Sequence, residues 1–383
     1  MNMISSRKFY FLVPVLVLIS AGCLLQGCAR FQDLAPNKTC ITSGWPDQQS
    51  DLSPDPAYIF GTLDNGFRYV ILPNQEPRNR VGLYLDVQSG SMVETEQQRG
   101  LAHYLEHMLF NGTTHYPPGT LVEYFQSIGM GFGADTNAHT GYDETVYKLL
   151  LPSGDRKTLQ TGLQVMADYA RGALLLETEV DNERGIILAE KRARDSAASR
   201  VFKERMKFTF SGTRIAKRDP IGTEETIKNA NSLLLRQYYD KWYRPENLIL
   251  VVVGDTDPEL AKQIIETGFS TLQAAGPAPH CPDPGKVAEQ GTAAFYQHEP
   301  DLGYTSVSIE SVWNEANRPD TRAEEIRSLK EYVAGKMLDN RLRQLVNQEG
   351  SPLTGANFYS GRVVKLYGNS SLTARTSADD WQQ

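Results

Sequence analysis

The sequence is poor in the residues from which disulfide scaffolds and cysteine metal clusters are built. Four cysteines stand at positions 23, 28, 40 and 281 of 383 residues, and none has the spacing of a zinc-binding cysteine pair. Histidines number only six, so any imidazole site must be drawn from a small set. Positive charge is short as well. Lys and Arg total 39 against 46 Asp and Glu, a formal net charge of -7, which speaks against a nucleic-acid partner. The apolar run at residues 9–19 is too short for a membrane-spanning helix. With 40% hydrophobic residues, the chain can still bury a sizeable core in two or more domains.

That short apolar run is informative. Arg7 and Lys8 precede it and Leu25-Gln26-Gly27-Cys28 follows, so residues 1–27 read as a secretory signal. Leu-x-Gly-Cys resembles a bacterial lipobox, in which Cys28 becomes the lipidated first residue. Cys23, preceded by Ser20-Ala21-Gly22, competes for that role but lacks a leucine three residues upstream. Ala29 is not the aspartate that retains many such lipoproteins at the inner membrane. The resemblance implies a lipid anchor at Cys28 on the periplasmic side of the outer membrane. Polar residues 28–56 read as a flexible tether. Cys40 and Cys281 remain as a candidate disulfide, which the periplasm would permit.

Asn65-Gly66 marks a hairpin turn into a strand over residues 67–72, and residues 81–87 (V-G-L-Y-L-D-V) read as another strand. A short helix is expected over 120–128, then strands over 134–140 and 144–151. Two longer helices follow over 155–176 and 179–198, with Thr178 as N-cap of the second. A helix over 233–242, a fully buried strand over 248–253 and a helix over 258–269 close a first unit, residues 57–275. Residues 276–292 form a Pro/Gly-rich linker. Beyond it, strands are expected over 294–296, 306–312, 362–366 and 371–375, with a long amphipathic helix over 324–347. This second unit, residues 293–383, repeats the strand-then-helix order of the first and reads as an incomplete domain. It belongs either to a naturally short protein or to the N-terminal part of a longer one.

Within residues 101–112, L-A-H-Y-L-E-H-M-L-F-N-G, His103, Glu106 and His107 form H-x-x-E-H. On a helix, His103 and His107 lie four residues apart on one face with Glu106 beside them. Two imidazoles sharing a metal, with a carboxylate near its water, make the core of a zinc hydrolase of the inverted-zincin type. A buried helix with two satisfied histidines is the alternative, and neighbours such as Leu105 and Leu109 allow it. A catalytic zinc also needs a third protein ligand. His115, His139, His280 and His298 sit in a turn, on a strand and in or near the linker, and are poor candidates. Glu183 and Glu190, seven apart, would share one face of the 179–198 helix, although an exposed charged helix fits the same spacing.

The H-Y-L-E-H helix together with E-R-G-I-I-L-A-E (residues 183–190) resembles the M16 family of zinc metallopeptidases, the pitrilysin and insulinase family. Further stretches fit that pattern: Gly90-Ser91 with Glu94 ahead of the helix, F-N-G-T (110–113), N-A-x-T-x-x-D-x-T-x-Y (137–147), G-T-E-E-T-I (222–227), Y-R-P-E-N (243–247) and V-V-V-G-D (251–255). The resemblance implies an α+β fold of the M16 type. A mostly antiparallel sheet packed by helices would be followed by an incomplete second homologous domain. It also implies one Zn2+ per chain held by His103, His107 and Glu190, with Glu183 as supporting carboxylate. Glu106 would activate the zinc-bound water and later protonate the leaving amine. Asn137 and Ala138 would lie on an edge strand to which a peptide or unfolded protein segment adds in extended form.

The family also uses an arginine and a tyrosine seven residues apart to bind the substrate carbonyl. Here Arg362 and Tyr367 are five apart, which is no match. The resemblance therefore implies a zinc endopeptidase that draws on a partner subunit or a further C-terminal half. The alternative is a non-catalytic peptide-binding or scaffolding subunit.

Overall fold

The computed structural model describes residues 44–45, 50–288, 291–315 and 318–378. The signal segment, Cys28 and Cys40 lie outside the described residues. Cys281 is disulfide-bonded. Among the described residues no helix is long and apolar enough to cross a membrane.

The first unit is built on six strands: β1 (Ile59–Thr62), β2 (Arg68–Pro73), β3 (Val81–Val87), β4 (Thr136–Thr140), β5 (Thr145–Leu151) and β6 (Leu248–Gly254). They are ordered β1-β2-β6-β3-β5-β4. Only β2 and β6 run parallel; every other neighbouring pair is antiparallel. Eight helices accompany the sheet: α1 (Leu101–Met108), α2 (Thr120–Ser127), α3 (Arg156–Arg171), α4 (Glu177–Ala193), α5 (Ala197–Thr209), α6 (Glu224–Asn229), α7 (Ser232–Trp242) and α8 (Pro258–Phe269).

Strand alternation explains the core. Leu83, Leu85 and Val87 of β3 and Leu248, Leu250 and Val252 of β6 are fully buried together with Tyr104, Leu105 and Met108 of α1. Burying such side chains contributes roughly 1.5–3 kcal/mol each. The β1–β2 turn is locked from outside, because Asn65 Nδ2 donates to the carbonyls of Phe269 (2.8 Å) and Leu272 (3.0 Å) at the end of α8.

Several expectations are corrected. Although residues 248–253 are all apolar, β6 alternates between buried and half-buried, the pattern of a strand with one face better covered than the other. The expected 155–176 helix stops at Arg171, where Gly172 follows and Leu175 takes a positive φ of 52°. The N-cap of α4 is Leu176, not Thr178, and no side chain caps it. The expected 179–198 helix ends at Ala193, and a separate helix, α5, starts behind the Ser196 cap. Residues 294–296 form no strand.

The second unit contains β7 (Tyr304–Asn314), α9 (Arg322–Val346), β8 (Leu353–Val364) and β9 (Tyr367–Ser377), an antiparallel sheet in the order β7-β9-β8. Val307 and Ile309 on β7 and Leu329, Tyr332 and Met337 on α9 are exposed, so this unit leaves an apolar face uncovered. The units are joined through α5 and the linker. Met206, Phe210, Val287, Val364 and Tyr367 cluster, and Arg205 pairs with Glu310 at 2.9 Å. Trp45, within the expected tether, packs edge-on against Phe60 of β1 with ring centroids 5.0 Å apart.

Candidate metal centre

Helix α1 is buried over nearly its whole surface; of Leu101–Met108 only His107 is half-buried. Such a helix places two imidazoles in a dry environment while its apolar residues fix their position. Its start has no side-chain cap, since Gly100 is the N-cap with φ +92°. Glu94 replaces the cap from outside. Its two carboxylate oxygens accept from the backbone N–H groups of Gly100 and Ala102, each at 2.9 Å. When ionised, the Glu94 carboxylate also meets the positive end of the helix dipole. Burial pushes the Glu94 carboxyl up to about 8, while the two amide bonds pull it down.

The middle of α1 is tied to α4, because Tyr104 Oη donates to the Val180 carbonyl at 2.5 Å. That crossing brings Glu183 and Glu190 over the two histidines. His107 Nδ1 lies 2.7 Å from Glu183 Oε1, and Asn111 Nδ2 donates to Glu183 Oε2 at 2.7 Å. Glu190 Oε2 lies 3.5 Å from His103 Nε2 and 3.5 Å from His107 Nε2. One ligand atom from each of His103, His107 and Glu190 lies within 4.8 Å of the others.

These separations suit a shared ion better than a direct contact. Tetrahedral ligands at zinc bond lengths sit about 3.3 Å from one another. Glu190 Oε2 is buried and has no hydrogen-bond partner among the described residues. An unpaired buried carboxylate oxygen costs free energy unless a cation or donor meets it. The other oxygen, Oε1, is held by the Arg194 guanidinium one turn later. The residues present therefore fit a zinc ion. His103 Nδ1 is also buried without a partner among the described residues, so this ring lacks the support that His107 receives from Glu183.

Burial and the neighbouring charges move the two imidazoles in opposite directions. Burial, reinforced by the positive charges of His107 and Arg194, lowers His103 to about 3 and keeps it a neutral donor. For His107 burial acts in the same direction, but the Glu183 hydrogen bond and the charges of Glu106, Glu183 and Glu190 outweigh it and raise the group. Burial raises Glu106, against a hydrogen bond from Thr140 Oγ1 at 2.6 Å and the charges of His107 and His139.

Of the sequence-predicted residues, the structure brings His103, His107, Glu183 and Glu190 together, and Glu106 lies near enough for its charge to act on His107 and Glu190. Asn137 and Ala138 lie on β4, the last strand of the sheet, with Asn137 exposed and its Oδ1 accepting from Ala138 N at 2.9 Å. Sequence reasoning did not assign Asn111, Thr140 or Arg194, and it gave Glu94 no role. Asn111 and Thr140 stand inside stretches already singled out, and Arg194 follows Glu190 at helical spacing. Glu94 stands in a stretch that fits the family pattern, but nothing in the sequence marks it as the cap of α1.

Comparison with known proteins bears on the whole chain. The family model described as "Insulinase (Peptidase family M16)" matches residues 69–218, and "Peptidase M16 inactive domain" matches 231–383. The "Probable zinc protease PqqL" of Escherichia coli K12 is 40% identical over 223 residues, 58% of this chain and 24% of that protein. Its Haemophilus influenzae counterpart is 32% identical over 339 residues, 83% of this chain and 35% of that protein. This chain thus spans about a quarter to a third of the length of those relatives. The crystal structure of the periplasmic protease PqqL from Escherichia coli superposes with a TM-score of 0.77 at 31% identity. The match covers 86% of this chain and 36% of that one. With both family models matched in order and the same fold in a solved relative, the chain belongs to the M16 family of peptidases.

Proposed function

We propose that the chain is a zinc-dependent endopeptidase acting on peptides or unfolded protein segments. The observation that carries this reading is the buried, unpartnered Glu190 Oε2 poised at 3.5 Å from the Nε2 atoms of both histidines. His103, His107 and Glu190 would hold the ion. Zinc, when bound there, supplies a Lewis acid that polarises the scissile carbonyl and brings the pKa of a coordinated water toward neutrality.

The remaining chemistry belongs to the protein. Glu106 takes a proton from the attacking water and returns it to the leaving amine; its burial keeps its proton affinity high enough to do both. Glu183 fixes the His107 ring so that Nε2 faces the site. The free edge of β4 at Asn137 and Ala138 receives the substrate as an added strand, and its main chain then supplies hydrogen bonds independent of sequence. The catalytic unit is residues 57–275, joined by the 276–292 linker to a second unit, 293–383, that carries no H-x-x-E-H.

The uncovered apolar face of β7 and α9 supports completion of the second unit by a partner subunit or a further half of the polypeptide. Localisation follows the description of PqqL as a periplasmic protease together with the lipobox, whose lipidated Cys28 would anchor the protein to the outer membrane.

The test is zinc analysis with a quenched-peptide assay on the unmodified chain and on Glu106→Gln. Stoichiometric zinc in both, with cleavage only by the unmodified chain, is the expected result. A folded sample without zinc would overturn the site. Zinc without cleavage in the unmodified chain would point to the alternative, a peptide-binding subunit that needs a partner half.

A further inference from the structure

The Glu106 carboxylate receives one hydrogen bond among the described residues. Thr140 Oγ1 donates to Oε2 at 2.6 Å, and Oε1 receives none. Glu106 is 7% exposed. Its side chain has three rotatable bonds, so burial alone does not decide which oxygen faces the two histidines. Thr140 is the last residue of β4, paired in register with Thr145 of β5. The turn beyond is closed by Gly141 N donating to the Glu144 carbonyl at 2.8 Å, and Thr145 Oγ1 donates to the Ser89 carbonyl at 3.0 Å. The donor hydroxyl therefore stands on a fixed frame, on a β-branched side chain with few rotamers.

β4 is also the edge strand, and its residues alternate. Thr136, Ala138 and Thr140 are buried or half-buried, and Asn137 and His139 are exposed. A peptide adding to the free edge pairs with the main chain and leaves the Thr140 side chain in place.

We propose that Thr140 is a positioning residue for Glu106. Its hydroxyl engages Oε2, leaves Oε1 to face the attacking water, and makes the strand that receives substrate also the strand that aims the base. The inference rests on the reading of Glu106 as base, and its test separates the two.

The experiment compares the whole chain with Thr140→Val, which keeps the shape and removes the donor, and Thr140→Ser, which keeps the donor. Thr140→Ala takes the place of valine if the valine chain does not fold. Crystal structures of each read the Glu106 carboxylate directly. We expect it displaced in the valine variant and in place in the serine variant. Peptide kinetics should show kcat lowered roughly 10–100-fold for valine, with KM nearly unchanged, and restored to within about threefold by serine. Zinc content and affinity should be the same in all. An undisplaced carboxylate with full kcat in the valine variant overturns the proposal. So does a serine variant as impaired as valine, since the methyl packing would then be the cause. A chain without peptidase activity fails the functional reading alone, because the structures still decide the hydrogen bond.

Discussion

His107 Nδ1 and Glu183 Oε1 meet at 2.7 Å, and this contact decides which ring nitrogen faces Glu190. Asn111 holds the second oxygen of the same carboxylate at 2.7 Å, so Glu183 cannot turn away. Removing such outer partners costs metal affinity by 10–100-fold as a rule. Glu183→Ala is expected to weaken zinc binding by roughly that factor, measured by chelator competition, with the fold retained. Unchanged zinc affinity would show that Glu183 does not orient the ligand.

Glu94 acts at the opposite end of the same helix. Its carboxylate accepts from Gly100 and Ala102, amides that no side chain of α1 itself satisfies. Glu94→Ala leaves both amides without an acceptor at a buried helix start, and a loss of about 2–4 kcal/mol follows in urea unfolding. Glu94→Gln keeps a carbonyl oxygen and should lose less. Since α1 carries both histidines, the alanine variant should also bind zinc more weakly.

The sequence made α1 and its partner glutamates legible because helical spacing is local: four residues between the histidines and seven between the glutamates fix faces without tertiary information. The ends of α3 and α4 were not legible. Leu175 at positive φ and the uncapped start at Leu176 are imposed by packing rather than by cap residues, which is why Thr178 misled. β6 read as wholly buried because an apolar run records residue type and not which face is covered. Glu94 and Thr140 stayed unassigned for a related reason. Their partners are 6–8 and 34 residues away in irregular or separate elements, and no period links them.

Asp86 on β3 gives a pH dependence away from the proposed metal site. Burial, then the nearby Glu144 charge, raises it from 3.8 to about 6, against Lys365, Gln88 and Arg68. A carboxyl with a raised folded pKa binds more protons folded than unfolded between those values. Its contribution is therefore most favourable below about pH 4 and is lost as pH rises through about 6. Asp86→Asn removes the ionising group, so the variant should be more stable than the unmodified chain at pH 8 by about 1–2 kcal/mol after allowance for partial exposure. The difference should vanish at pH 4. Thermal unfolding at the two pH values checks this, and an equal effect at both would exclude the charge as its cause.

Gly222, the first residue of the G-T-E-E-T-I stretch, lies where α1 and α4 are braced against each other. Its φ is +70°, and a Cβ there would stand 2.4 Å from the Arg99 carbonyl oxygen and 2.6 Å from Gly100 Cα. Both are backbone atoms at the start of the helix that carries the histidines, so neither can yield cheaply. Thr226 Oγ1 donates to the same Arg99 carbonyl at 2.5 Å, and Lys191 Nζ, next to Glu190 on α4, donates to the Gly222 carbonyl at 2.8 Å. Gly222→Ala should therefore destabilise the chain by about 2–4 kcal/mol through clash and backbone strain together. It should also weaken zinc binding, because the two ligand-bearing helices lose their common brace. Gly119→Ala is the comparison. Its φ is +83° with nothing within 4 Å of the new Cβ, so only the conformational cost of about 1 kcal/mol applies. Calorimetry and zinc titration of the two variants separate these effects, and equal losses at both positions would mean that the close approach at Gly222 does not brace the site.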